Sequence, residues 1–240
     1  LLSALGLGYV IPAKLLGMAA FLGCGWMVYT LLREAEVDPW LSLLSGVGTF
    51  WIGRMAWAAP SGMETTSFAL AALVGMWLWR REIEGGLRPL TAVVFGVACL
   101  LRPEGYLLLA LAAGGWAIFR IGNSDIATVL KNLTRFAIIA GLICAPYLVF
   151  SYLTTGQVFT STFYVKSSTW DCKPGLGYAG WITLTFFLDQ PLAFGAAIFA
   201  AIKLAVHKNW KRHPIPFIAV GWWLLLPLAY GILAPRSSSY

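Results

Sequence analysis

From Leu15 to Leu32 the chain carries no charged side chain, and Arg33 and Glu34 close the run. At a rise of about 1.5 Å per residue, a helix over that run is about 27 Å long, close to the ~30 Å hydrocarbon core of a bilayer. A helix that is apolar on every side belongs either at the centre of a large protein or in a membrane. Apolar runs recur through all 240 residues, far more than one buried core could hold. Charged residues make up 11% of the chain, against roughly 25% in an ordinary soluble domain. Soluble globular, disordered and nucleic-acid-binding chains are thereby excluded. The expected fold is all-α: one transmembrane domain over 1–240, a polytopic helix bundle of about eight spans.

After Leu15–Leu32, the second span is expected over Trp40–Trp57, interrupted by Arg54, and a polar turn Pro60-Ser61-Gly62-Met63-Glu64-Thr65 follows. The third span is Phe68–Trp79 and the fourth Leu90–Leu101, broken by Arg102-Pro103-Glu104-Gly105, where Pro and Gly force a turn. Tyr106–Ile121 is the fifth. A polar loop with Asp125, Lys131 and Arg135 precedes the sixth, Phe136–Tyr152. Beyond the long polar loop Thr154–Gly177, Tyr178–Leu188 reads as an interfacial helix. Leu192–Val206 and Pro216–Leu233 complete the spans.

Lys and Arg concentrate on cytoplasmic loops. Arg33, Arg80, Arg81, Arg88, Arg120, Lys131, Arg135, Lys203, Lys208, Lys211 and Arg212 all fall in alternate loops, eleven of the 17 cations. That set defines the inside, and it accounts for the net charge of +7 without nucleic acid as a partner. The Glu64 turn, the Arg102–Gly105 turn, the long loop with Lys166 and Lys173, and the tail with Arg236 face outward. The 12 Trp suit interfacial anchoring and contact with sugars or lipids. Cys24, Cys99 and Cys144 lie in apolar runs as small core residues, and Cys172 lies in a polar loop, so no disulfide framework is implied.

Charges at membrane depth or at the outer rim are expensive unless paired, solvated or turned into a cavity. The candidates are Arg54, Glu64, Arg102, Glu104 and Lys166, the last in the aromatic patch Phe163-Tyr164-Val165-Lys166. On one outward-facing polar cavity they would handle an anion and hydroxyls. Each also has a plainer reading. Ser61 and Glu64 have the S-x-x-E spacing of a capping box. Arg102 and Glu104 suit an ion pair locking a hairpin, and Lys166 and Arg54 could snorkel. The sequence has no HExxH, CxxC, Walker or Rossmann pattern.

In order, the S-G-M-E-T turn at Ser61–Thr65, the L-L-R-P-E-G turn at Leu100–Gly105 and T-F-Y-V-K at Thr162–Lys166 resemble the GT-C superfamily of polytopic glycosyltransferases. The similarity is to bacterial polyprenyl-phosphate-sugar-dependent enzymes of the arabinofuranosyl- and mannosyltransferase type, and runs from about Pro12 to Leu233. Thr160-Ser161 stand where the family often has Pro-Asn.

The resemblance implies an inverting transfer, in the bacterial cytoplasmic membrane, from a polyprenyl-phosphate sugar to a hydroxyl acceptor on a glycan, lipid or protein at the outer face. Membrane lipids are the surroundings. It implies that Glu64 binds acceptor or sugar hydroxyls. Arg102 and Glu104 order the cavity wall, with Arg102 a candidate phosphate contact. Tyr164 and Lys166 line the donor site, Lys166 facing the phosphate, and Arg54 joins the substrate-binding set. No cofactor is implied beyond the lipid-linked donor, and a divalent metal is left open. The catalytic base of such enzymes is an Asp in the first outer loop. No acid precedes Glu34, and Glu34 and Asp38 fall inside, so that Asp is expected upstream of Leu1 in a chain that is a fragment, cut at the N-terminus and after the Arg236–Ser239 run at the C-terminus. The alternatives are a transporter or flippase of lipid-linked sugars, which would need inverted repeats not visible here, and an inactive structural membrane subunit.

Overall fold

The computed structural model describes residues 10–83, 88–121, 124–156, 176–189, 195, 198, 202 and 214–233. Every regular element among them is helical: α1 Val10–Glu34, α2 Pro39–Gly48, a 3-10 turn Thr49–Trp51, α3 Gly53–Ser61, α4 Thr65–Glu82, α5 Pro89–Leu101, α6 Glu104–Arg120, α7 Ile126–Thr155, α8 Leu176–Asp189 and α9 Pro214–Leu233. Two of them, α1 and α7, are long and apolar enough to cross a membrane, and α5 and most of α9 are shorter apolar helices.

The second span departs from expectation. Trp40–Trp57 is not one helix: α2 tightens into the 3-10 turn, Ile52 is extended at φ −72° and ψ 97°, and α3 starts afresh at Gly53. Three glycines in eight positions, Gly46, Gly48 and Gly53, weaken continuous helix there. Arg54 therefore sits in the first turn of a new short helix, exposed, and not inside a long one. The start of the sixth span also moves. Lys131 and Arg135 ride on α7, because its buried stripe of Val129, Phe136, Ala140 and Cys144 keeps helical spacing through the basic segment. The seventh span lies outside the described residues except at 195, 198 and 202.

The chain divides into two compact units. The first holds 1–105 and 135–143. Its helix order is fixed by ties along α1. The Asp38 carboxylate accepts from the amides of Trp40 (2.9 Å) and Leu41 (3.2 Å), and with Pro39 behind it starts α2 sharply. α2 then returns along α1, where Gly25 and Gly46 meet. A Cβ on Gly46 would stand 2.8 Å from the Gly25 carbonyl oxygen, so both positions need glycine for the backbones to close. Farther along, Cys24 Sγ reaches the Thr66 carbonyl at 3.7 Å, and Glu34 meets Arg80 and Arg81, so α1 and α4 run parallel. The interior is built of small and aromatic residues: Cys24, Ala58, Ala59, Trp79, Ala92, Phe95 and Ala98 are buried, and Phe95 meets Phe136 edge-on at 6.3 Å.

The second unit holds 106–134 and 144–240. In it α8 packs on α9, Phe119 meets Phe217 at 5.7 Å, and Leu108, Ala112, Trp116, Ala179 and Ile218 are buried.

Candidate functional site

In the first unit, the Glu64 and Arg102 turns fall at one end of α4, and Arg80, Arg81 and Arg88 at the other. At the C-terminal end, Glu34 Oε1 accepts from Trp77 Nε1 at 2.8 Å and from Arg81 Nη2 at 2.5 Å. Arg80 Nη2 donates to the Glu34 carbonyl at 2.5 Å, and the Arg81 guanidinium lies 4.0 Å over the Trp77 ring. Glu82, buried, accepts from the Arg88 amide at 2.8 Å. These three arginines and the aromatic contact tie helix ends together and, among the described residues, leave no acid-and-hydroxyl cluster suited to chemistry there.

The other end gathers the motif residues. Gly62 closes α3 with φ +76°, a left-handed cap that favours glycine, and packs against the backbone of Ala13 and Lys14 at the start of α1. The capping-box reading of Ser61 and Glu64 is overturned. Ser61 is the last residue of α3 and its Oγ donates to the Ala58 carbonyl at 2.7 Å. Glu64 itself occupies the N-cap position of α4, with an exposed carboxyl that makes no capping hydrogen bond. A carboxylate beside a helix N-terminus is favoured by the helix dipole and stays open to a ligand.

Across from it, the α5–α6 turn is built by Pro103 and by Gly105, where a Cβ would lie 2.6 Å from the Ala98 backbone. The turn aims Arg102 at Glu104: Nη2 meets Oε1 at 3.1 Å and Nε meets Oε2 at 3.3 Å, a two-pronged ion pair with side chains 24% and 14% exposed. The remaining guanidinium nitrogen, Nη1, donates to Thr65 Oγ1 at 3.3 Å. Arg102 therefore bridges the R-P-E-G turn to the residue next to Glu64. Guanidinium has five N–H donors; among the described residues three are engaged, which leaves two for an anion. The ion pair that locks the hairpin is thus present, and it also joins two motifs that lie 37 positions apart.

Sequence reasoning missed Thr65 and Lys14. Thr65 was legible only as the close of the S-G-M-E-T turn. Lys14, exposed, stands one residue ahead of the charge-free run, mirroring Arg33 at its other end. Arg54 lies in the first turn of α3, two turns short of Ser61. Tyr164 and Lys166 lie outside the described residues. Among the described residues no group of three or more His, Cys, Asp or Glu is placed to hold a metal ion. The chain matches no family model, no curated protein and no solved structure.

Proposed function

We propose that this chain belongs to a polytopic bacterial membrane glycosyltransferase of about eight spans, with α8 lying at the interface. It moves a sugar from a polyprenyl-phosphate donor to a hydroxyl at the outer face, with inversion. The observation that carries the reading is the Arg102–Thr65 hydrogen bond. It puts two of the three motifs at one end of the first unit, opposite the arginine-rich end.

The chemistry asks for that arrangement. An attacking hydroxyl needs an acceptor for its hydrogen bond, and the exposed Glu64 carboxylate supplies one. The departing lipid phosphate gathers negative charge, which the two open N–H groups of Arg102, together with Lys166, would stabilise. Glu104 holds the Arg102 fork in place, and Thr65 fixes its distance from Glu64. The lipid tail of the donor explains why the protein is built from apolar helices. A transporter would use a similar polar end and would need inverted repeats, which the sequence does not display.

The test is Glu64→Gln in the protein expressed from its complete gene. Transfer of labelled sugar from the polyprenyl-phosphate donor should fall to background, while expression and thermal unfolding stay at wild-type levels. Turnover at the wild-type rate would remove Glu64 from the site.

A further inference from the structure

The buried stripe of α6 runs through Leu108, Ala112 and Trp116, at a spacing of four residues. The next place on that line is Arg120, in the last turn of the helix and half-buried. Trp116 is 1% exposed, and its indole Nε1 has no hydrogen-bond partner. Arg120 Nε is buried too and has none. Two donors on one helix face therefore lack an acceptor, and one of them belongs to a cation. A buried donor left without a partner keeps its full desolvation penalty, which is largest for a charged group.

The plain roles of an arginine at this place are not filled. A cation at a helix C-terminus can bond the last carbonyls or pair with an acid. The Ala117 carbonyl already accepts from the Ile121 amide at 2.8 Å. Among the described residues Arg120 forms no ion pair. Asp125, the nearest acid in sequence, is exposed at the N-cap of α7. α9 packs against this end of α6, with Phe217 on Phe119 and Gly221 beside Leu111. It brings no counter-ion, because Pro214–Leu233 is uncharged throughout. A buried water would satisfy the indole but would leave the guanidinium without a counter-charge.

The surroundings select the acceptor. Ile118, Ile121, Ile126 and Leu130 are all exposed, so apolar surface brackets Arg120 in sequence, and exposed Lys131 follows. α7 has 30 residues, about 45 Å, and outruns a ~30 Å hydrocarbon core by about ten residues. Its polar first turns, with Lys131, fit the headgroup layer. A ligand that meets a guanidinium in that layer and covers isoleucines beside it carries a phosphate and acyl chains together.

We propose that the Arg120 end of α6 binds the phosphate of an anionic phospholipid, with the Trp116 N–H behind Arg120 as the second donor. Glu104 begins α6 and Arg120 ends it, so this site lies a helix length from the candidate-site turn. It rests on the membrane placement of the chain and not on the transferase reading.

The experiment uses the whole protein, purified in micelles holding equal amounts of phosphatidylglycerol and phosphatidylcholine, and counts retained lipid by native mass spectrometry. Wild type should retain phosphatidylglycerol in preference. Arg120→Gln should weaken that preference by about tenfold, equivalent to ~1.4 kcal/mol. Trp116→Phe, which keeps a ring and removes the N–H, should weaken it by a smaller factor. Arg88→Gln, which removes an exposed arginine of the first unit, should leave it unchanged. In nanodiscs, phosphatidylglycerol should raise the Tm of wild type and not that of Arg120→Gln. In phosphatidylcholine alone Arg120→Gln should unfold at or above the wild-type temperature, since no ion pair is lost. A lower temperature there would show that the guanidinium already has its partner, and would overturn the proposal. Equal loss in Arg88→Gln, or full retention by Arg120→Gln, would overturn it too. If millimolar glycerol 3-phosphate displaces the lipid and reproduces its Tm shift, the ligand is a soluble phosphate and the lipid site falls. None of these results depends on sugar transfer, so the site and the transferase stand or fall separately.

Discussion

Arg102 donates through Nη1 to the hydroxyl of Thr65 at 3.3 Å while the same guanidinium holds both carboxyl oxygens of Glu104. The bond is a single clasp between two turns. Thr65→Val should cost about 1 kcal/mol, the usual net value of one hydrogen bond. Arg102→Ala should cost about 2–3 kcal/mol, because it also strips the charged partner from a largely buried Glu104. The double variant should show a coupling of at least about 0.5 kcal/mol in thermal unfolding of the purified protein. Strict additivity would mean that the clasp does not form.

Capping separates two serine and aspartate positions that look alike in sequence. Asp38 caps α2, so Asp38→Ala should destabilise by about 1 kcal/mol. Ser61 does not cap α4, so Ser61→Ala should stay within about 0.5 kcal/mol of wild type. A loss at Ser61 as large as that at Asp38 would restore the capping box.

The glycines of the α1–α2 return behave in opposite ways. Gly46→Val pushes a side chain into the Gly25 backbone and should cost about 1–3 kcal/mol. Gly48 is helical, with open space where a Cβ would go. Gly48→Ala should therefore stabilise by about 0.5–1 kcal/mol. Unfolding midpoints of the two variants check both signs.

Orientation is read by labelling intact cells. Cys24, Cys99 and Cys144 are buried, so a Cys172→Ser background is quiet. In it, Met63→Cys, at the candidate-site end, should react with an impermeant maleimide. Glu36→Cys, at the arginine-rich end, should react only after permeabilisation. The reverse pattern would turn the protein over in the membrane.

Helices announced themselves where a long uncharged run met a sharp boundary. Leu15–Leu32 lies within α1, and Pro103 and Gly105 mark the α5–α6 turn that forms. Reading failed where the deciding force was not hydropathy. Trp40–Trp57 is uncharged except for Arg54, so its run concealed a break set by glycine spacing and the extended Ile52. Lys131 and Arg135 suggested a loop, yet charged side chains ride easily on a helix whose other face is buried. At the site, Arg102, Glu104 and Glu64 were legible as charges too costly to be casual. Their mutual placement was not, because the Arg102–Thr65 bond depends on how α4 and α5 stand in space, and no local pattern encodes that.

The Glu34 tie to Arg80 spans 46 positions and to Arg81 spans 47. A ribosome adds about 5–20 residues per second. Once Glu34 leaves the peptidyl-transferase centre, its arginine partners are therefore about 2–9 s behind it. During that interval the α1 end carries an unneutralised carboxylate, and α2 and α3 are laid down before the lock exists. The order of synthesis thus lays the return segment against α1 before α4 docks on α1's other contacts.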